Sequence, residues 1–223
     1  IQDVTIRALA RLAETRDNET GNHILRTQEY VETLARRACT HPRFAAALGE
    51  HAIALIAKSA PLHDIGKVGI PDHVLLKPGK LTPDEWEVMK THARLGAEAI
   101  ARAVEDTHQP VEFLAYARQI ALHHHERWDG SGYPDALAGD AIPLAARLMA
   151  LADVFDALIS RRVYKAPMTP AEAVAIMSAQ RGLHFDPDLL DIFLAGIDAF
   201  CAIARRYPDE AAPELPVGQR QAA

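Results

Sequence analysis

The sequence has few cysteines and no long apolar run, and both absences restrict what the protein can be. The two cysteines, Cys39 and Cys201, are too few for a disulfide framework and do not have the spacing of metal ligands. No apolar stretch approaches the roughly 18 residues that a membrane span requires. No basic segment followed by a hydrophobic one indicates a secretory signal. We therefore expect a cytoplasmic protein that does not enter a membrane.

An excess of positive charge is also absent. The 223-residue chain has a net charge of −6, whereas proteins that bind nucleic-acid polymers normally present a basic face. A nucleic-acid polymer is therefore not an expected partner, but a small phosphorylated ligand needs only a few local cations. Apolar residues make up 49% of the chain and charged residues 24%, which is typical of a globular protein with a buried core.

Alternation with a period of two is missing over any useful length, so we expect no substantial sheet. Apolar residues recur at helical spacing, and Thr82 and Thr169 each precede a proline and lie three residues before a glutamate, a pattern typical of helix starts. The predicted helices cover residues 1–15, 22–38, 51–63, a segment from 82 that includes His92, 110–124, 143–160, a segment from 169, and 186–207. We predict a linker-like helix (1–15), one all-α domain (16–207) and a disordered tail (208–223).

Histidine is unusually abundant, with eleven in the chain, most of them between His63 and His125. His63 and Asp64 end a predicted apolar helix, where an adjacent imidazole and carboxylate are unfavourable unless they are paired or bound to a cation. A histidine held by a backbone carbonyl at a helix end would explain the same pattern. His123, His124 and His125 form a run where an apolar helix meets a loop, and packing alone does not explain it.

Other candidate ligands give weaker signals when each is taken alone. Glu19 and His23 are four residues apart and would project from one helix face, although such a pair is usually a surface contact. A single histidine such as His92 is more often solvated or part of a core. Asp153 is a carboxylate in an apolar run and needs a partner. Asp156, three residues along on the same side, is the second choice for that role.

Taken together, these residues predict a metal site. Imidazoles and carboxylates without a thiolate suit divalent iron, manganese, nickel or zinc. Roughly six to eight candidate ligands exceed what a single zinc ion takes, which indicates two or more metal ions sharing a carboxylate. Two metal ions about 3.5–4 Å apart are the usual arrangement for phosphoester hydrolysis, in which they generate hydroxide and stabilise the attacking and leaving oxygens.

Two long motifs resemble those of the HD-GYP family, a subgroup of the HD phosphohydrolases. They are HDIGKVGIPDHVLLKPGKLTPDEW at residues 63–86 and HHERWDGSGYP at residues 124–134. The resemblance runs from about Glu14 to Leu190 and implies a single multi-helix domain of the HD type with a metal site in its helical core. The metal ligands that it implies are Glu19, His23, His63, Asp64, His92, His124, His125 and Asp153. His123 is the spare histidine of the run.

The resemblance also implies a role for some of these residues. Asp64 would bridge two metal ions and is the main catalytic residue. Glu19 matches an acidic position that holds a third metal ion in some members. The implied cofactors are therefore two or three divalent ions, with iron or manganese as first choice and nickel or zinc as alternatives.

Substrate contacts are implied for residues outside the metal site. Lys67 would be both catalytic and substrate-binding, and Arg162 and Lys165 would grip the phosphates of the ligand. Gly132 and Tyr133 belong to the signature loop Gly132-Tyr133-Pro134, which in the resemblance shapes the pocket mouth and offers a docking surface for diguanylate cyclase domains. A tight loop without a ligand contact is an equally good interpretation of Tyr133.

The implied activity is metal-dependent hydrolysis of cyclic di-GMP to linear pGpG, with a further cut to GMP as an extension. One alternative is an enzyme that prefers pGpG or another cyclic dinucleotide, and a second is a cyclic di-GMP sensor or docking module with little turnover. Because every ligand position is filled, catalysis is the favoured hypothesis. By analogy within the family, we also expect a regulatory receiver domain upstream.

Overall fold

A computed structural model describes residues 2–16, 22–107, 111–160 and 166–209 of the chain. In these ranges it contains eleven α-helices and no β-strand, which confirms the all-α prediction, and none of its helices could cross a bilayer. The helices are α1 (Gln2–Glu14), α2 (His23–Ala38), α3 (Glu50–Ser59), α4 (Asp72–Leu75), α5 (Pro83–Lys90), α6 (His92–Thr107), α7 (Glu112–His123), α8 (Leu144–Ile159), α9 (Pro170–Ser178), α10 (Pro187–Ala195) and α11 (Ile197–Arg206). Short 3₁₀ turns lie at Ala60–Leu62, Ile65–Gly69 and Gly139–Ala141.

The two predicted helix starts are confirmed by their capping hydrogen bonds. The Thr82 hydroxyl accepts the backbone N–H of Glu85, and the Glu85 carboxylate accepts the backbone N–H of Thr82. Thr169 and Glu172 make the same pair of bonds at the start of α9. Each pair satisfies two donors that a helix end would otherwise leave without partners.

The prediction that one helix runs from Thr82 through His92 is wrong. The chain forms α5 up to Lys90 and then a new helix that begins at His92. At the junction, the Thr91 hydroxyl donates to the backbone carbonyl of Val88 at 2.6 Å, and the Thr91 N–H donates to the same carbonyl at 3.1 Å. This turn separates the two helices and places His92 in the first turn of α6.

The predicted last helix, residues 186–207, is also two helices rather than one. Gly196 separates α10 from α11. A Cβ built on Gly196 would overlap the guanidinium of Arg37, with the Arg37 Cζ only 2.5 Å away. The missing side chain therefore makes room for Arg37 at the corner between the two helices.

The main core surrounds α8, whose buried residues face several neighbouring helices. Its aromatic part includes Tyr30 and Phe155, whose ring centroids are 5.5 Å apart, and Phe193, which lies 5.1 Å from Phe155 and 4.4 Å from Phe200. Edge-to-face and tilted contacts of this kind add to the apolar area that the rings bury. The core thereby fixes α8, the helix that carries Asp153.

Helix α1 packs against the rest of the fold along one side. Its residues Ile6, Ala10 and Ala13 are buried, whereas Val4 and Leu12 are 72% and 65% exposed. The division into a linker-like helix, a domain and a tail stays a prediction, and residues 210–223 of the predicted tail lie outside the described ranges.

Two glycines allow the turn after Asp64 to lie directly against α6. A Cβ built on Gly66 would lie 2.5 Å from the backbone nitrogen of Gly96 and would overlap the carbonyl oxygen of His92. A Cβ built on Gly96 would lie 3.1 Å from the Gly66 nitrogen. Because neither residue has a side chain, the two backbones meet, and Asp64 comes to lie beside His92.

Candidate metal centre

Seven of the predicted metal ligands converge in two adjacent groups. In each group, every residue offers one donor atom within 4.8 Å of the others. The first group consists of Asp64, His92, His124 and His125, and the second of His23, His63 and Asp153. The side chains come from α2, α6, α8, the end of α7 and the turns after α3. The fold thus gathers residues that are up to 130 positions apart in the sequence.

The Asp64 carboxylate lies between the two groups. Its Oδ2 is 3.3 Å from Nε2 of His63 in the second group. Its Oδ1 is 3.3 Å from Nε2 of His92 and 3.4 Å from Nε2 of His124 in the first group. Within the second group, Nε2 of His23 is 3.3 Å from Nε2 of His63, so Asp64 is the residue that links the two groups. This position is the one that a bridging carboxylate requires.

Backbone carbonyls orient three of the imidazoles. Nδ1 of His63, His92 and His124 each donates to a carbonyl three or four residues earlier in the chain, at 3.0, 2.7 and 2.9 Å. This bond fixes the tautomer, so that the unprotonated Nε2 faces the centre. The sequence left open whether these histidines bind a backbone carbonyl or a metal ion. The two roles are compatible, because Nδ1 donates to the carbonyl while Nε2 of the same ring faces the centre.

His23 is oriented by a carboxylate instead. Its Nδ1 lies 2.9 Å from Oδ2 of Asp156, which also receives two hydrogen bonds from Arg26 at 2.6 and 2.9 Å. Burial opposes the charge on Asp156, but the hydrogen bonds from His23 and Arg26 lower its pKa to about 2. Asp153 lies on the other side of His23, with its Oδ1 3.7 Å from Nε2. Both acids therefore act on His23, and sequence reasoning missed the supporting role of Asp156 and Arg26.

Lys67 lies beside the bridging carboxylate. Its Nζ is 2.7 Å from Oδ2 of Asp64. Burial opposes ionisation of Asp64, yet Lys67 and His63 hold the pKa of this carboxylate well below its ordinary value. Asp64 is therefore ionised, as a metal ligand must be.

The chemistry of the donor set fits divalent metal ions. Within the described ranges, Oδ1 of Asp64 and Nε2 of His124 are buried and have no hydrogen-bond partner, and such groups are rare unless something else binds them. Burial, reinforced by His124, holds the pKa of His125 well below its ordinary value, so that His125 is neutral and able to bind a metal.

Tyr133 of the signature loop stacks on the edge of this centre. Its ring centroid is 4.7 Å from that of His125 at an interplanar angle of 25°, and Trp86, which is 46% exposed, contacts it at 6.0 Å. Burial raises the pKa of the Tyr133 hydroxyl. Gly132 packs against backbone, because a Cβ there would lie 2.5 Å from Cα of Glu126. Direct substrate contacts by Gly132 and Tyr133 stay predictions.

Three predicted site residues, Glu19, Arg162 and Lys165, lie outside the described residues, and their roles stay predictions.

Sequence reasoning also missed a contribution from α1. A small opening lies beside the centre. It is lined by Ala10, Ala13, Glu14, Ile24, Pro61, His63, Asp64, Ile65 and Lys67. The helix predicted as a linker therefore forms part of the wall next to the metal ligands.

Comparison with known proteins gives consistent matches. A family model described as "HD domain" matches residues 7–189. A protein of Vibrio cholerae serotype O1 named "Probable cyclic di-GMP phosphodiesterase" is 54% identical over 97% of this chain and 49% of its own length. Another from that organism, "3'3'-cGAMP-specific phosphodiesterase 2", is 42% identical over 90% of this chain and 36% of its own length. This chain thus spans half or less of the length of these curated relatives.

One solved structure supports the fold. It is titled as that of cyclic GMP-AMP-specific phosphodiesterases in V. cholerae and superimposes with a TM-score of 0.62. The match covers 93% of this chain and 53% of that chain at 20% sequence identity. The helical architecture is therefore shared with a solved phosphodiesterase, although the two sequences have diverged widely.

Proposed function

Since this chain belongs to the HD domain family, as its resemblance to the HD-GYP group predicted, we propose that it hydrolyses cyclic di-GMP with bound divalent metal ions. The observation that carries this proposal is the position of Asp64. Its two carboxylate oxygens face different groups of imidazoles at 3.3–3.4 Å. A carboxylate in this position suits two metal ions that share one ligand, the arrangement used for phosphodiester hydrolysis.

Seven described residues would hold the metal ions. They are His23, His63, Asp64, His92, His124, His125 and Asp153. When bound, the ions would lower the pKa of water and withdraw negative charge from the phosphoryl oxygens. Iron or manganese is the first choice that the family resemblance implies, and nickel and zinc are alternatives that the imidazole and carboxylate donors also suit. Glu19 is proposed as a ligand for a third ion.

The protein itself supplies orientation and charge. The carbonyl and Asp156 contacts hold the imidazoles in one tautomer before any ligand arrives, so no reorganisation is needed during the reaction. Lys67 places a positive charge at the edge of the centre, where it would stabilise the phosphate under attack. Arg162 and Lys165 are proposed to hold the remaining phosphate and orient the ligand.

The proposed products are linear pGpG and, after a second cut, GMP. Relatives named for cyclic di-GMP and for 3'3'-cGAMP both match most of this chain, so preference for another cyclic dinucleotide or for pGpG is the alternative. The complete ligand set favours catalysis over a sensor with little turnover. Docking of diguanylate cyclase domains on Gly132-Tyr133-Pro134, an upstream receiver domain and a cytoplasmic location stay predictions.

Incubation of the manganese- or iron-reconstituted protein with cyclic di-GMP, followed by chromatography, tests the proposal. We expect pGpG or GMP to appear and to be abolished by a chelator. Asp64→Asn should abolish turnover and lose metal, whereas Asp191→Asn, in an exposed ion pair with Arg181, should change neither. Intact cyclic di-GMP in the presence of fully metal-loaded protein would refute the proposed activity, and turnover of pGpG or cGAMP instead would identify the alternative substrate.

A further inference from the structure

A third group of potential metal ligands lies outside the centre described above. His123, Glu126 and Asp135 each place one donor atom within 4.8 Å of the other two. Nδ1 of His123 is 3.8 Å from Oε1 of Glu126 and 3.8 Å from Oδ2 of Asp135. None of these residues is among the ligands that the HD-GYP resemblance implies.

The spacing of these donors fits a divalent cation. A point equidistant from three atoms with such separations lies about 2.0–2.5 Å from each, and zinc binds imidazole nitrogen and carboxylate oxygen at about 2.0–2.2 Å. Nδ1 of His123 is buried, and no atom of the described part of the chain is its hydrogen-bond partner. A buried polar atom without a partner is unfavourable, and a cation in the middle of the triangle would remove that penalty.

The charges of the group also favour a cation. The Glu126 side chain is fully buried and accepts the backbone N–H groups of Asp135 at 2.8 Å and Leu137 at 3.1 Å. Asp135 pairs with Arg94 through Oδ1, and its Oδ2 faces His123. Across the described ranges, no lysine or arginine pairs with Glu126. Each carboxylate oxygen has a second lone pair, so the existing hydrogen bonds do not prevent coordination.

We propose that His123, Glu126 and Asp135 form a binding site for a divalent transition-metal ion such as zinc, separate from the seven-ligand centre. His123 ends α7, and Asp135 directly follows Gly132-Tyr133-Pro134. The ion would therefore join the end of α7 to the far side of the signature loop. Its role is structural: it holds the loop whose Tyr133 stacks on His125.

Counting bound metal tests this site without any assay of turnover. The chain is stripped with a chelator and titrated with Zn²⁺ against a chromogenic indicator, for the unaltered protein and for His123→Gln, Asp135→Asn and the double variant. We expect each of the three variants to bind one equivalent fewer than the unaltered protein, with an unchanged far-ultraviolet circular dichroism spectrum. His73→Ala, which removes an exposed histidine elsewhere, should bind the full number.

The double variant makes the count decisive. If the two residues share one ion, the double variant loses the same single equivalent as each single variant. Retention of the full number by either single variant would overturn the proposal. So would a loss of two or more equivalents from any variant, because the missing ions would then belong to the neighbouring seven-ligand centre.

Discussion

Gly66 lies against the carbonyl oxygen of His92 with no room between them for a side chain. His92 is a candidate metal ligand, and Gly66 follows Asp64, the proposed bridging ligand, by two residues. The contact therefore sets the separation between two ligands that come from different parts of the chain. A glycine that binds nothing itself determines the dimensions of the metal centre.

Gly66→Ala should destabilise the protein by about 2 kcal/mol or more and should weaken metal binding, because the new methyl group must push the Asp64 turn away from α6. Urea unfolding and metal titration measure both effects. Gly49→Ala is the matched control, since a Cβ there would meet no described atom within 4 Å. It should cost less than about 1 kcal/mol, because its only expected effect is that alanine caps the start of α3 less well than glycine. Equal effects of the two substitutions would contradict the close-approach argument.

Asp156→Ala should cost about 3–5 kcal/mol in unfolding free energy, because the buried Arg26 guanidinium loses the carboxylate that accepts two of its hydrogen bonds and keeps, within the described ranges, only the single contact with Asp209 as an ion pair. It should also lower metal affinity roughly 10- to 100-fold, since His23 loses the group that orients it. Asp191→Ala breaks only an exposed pair and should have little effect on either quantity. Normal metal affinity in Asp156→Ala would show that His23 does not need this support.

Lys67→Ala should reduce turnover of cyclic di-GMP roughly 100-fold while metal content stays unchanged, because the lysine acts on phosphate charge and not as a ligand. Steady-state kinetics and elemental analysis of the same preparation check this. Lys80→Ala removes an exposed lysine and should retain full activity. Loss of metal from Lys67→Ala would mean instead that the lysine keeps Asp64 in place.

His184 should make the protein sensitive to mild acid. Burial, followed by the charge of Arg127, lowers its pKa to about 4, whereas an unfolded histidine titrates near 6.5. As the pH falls, the unfolded chain therefore takes up the proton before the folded protein does. The contribution of neutral His184 to the free energy of unfolding is complete above pH 6.5 and is lost as the pH falls from 6.5 towards 4. At pH 5 the loss amounts to about 2 kcal/mol.

Urea unfolding at pH 7.5 and pH 5.0 measures this contribution. His184→Gln should reduce the difference in stability between the two pH values by about 2 kcal/mol. All other histidines are the same in both proteins, so their effects cancel in the comparison. His73→Gln, at an exposed position, should leave the difference unchanged, and an unchanged difference in His184→Gln would refute the assignment.

Local sequence signals predicted the parts of the fold that depend on neighbouring residues. The capping patterns at Thr82 and Thr169 are short-range, and both helices begin where they indicate. The break at Gly196 was not predictable in this way, because its cause is a contact with Arg37, 159 positions earlier in the sequence. The helix start at His92 likewise depends on a hydroxyl–carbonyl bond that composition does not reveal.

The candidate site shows the same division. The motifs predicted seven candidate ligands that the fold brings together, but they did not separate the roles of Asp153 and Asp156, which lie on the same side of one helix. Only the packing of α2 on α8 decides between them, since it brings Arg26 to Asp156 and leaves Asp153 facing the centre. Roles that depend on partners distant in sequence require the three-dimensional arrangement.

The end of α7 gives three neighbouring imidazoles three different surroundings: His123 faces Asp135, His124 faces Asp64, and His125 stacks on Tyr133. Each residue of a helix is rotated by about 100° from the one before it. Deleting one residue of α7 before the triplet would therefore rotate each histidine by about 100° into the position that the preceding residue now occupies, although the three histidines themselves would remain. In this helix, the number of residues therefore constrains the site more strongly than the identity of the outward-facing side chains does.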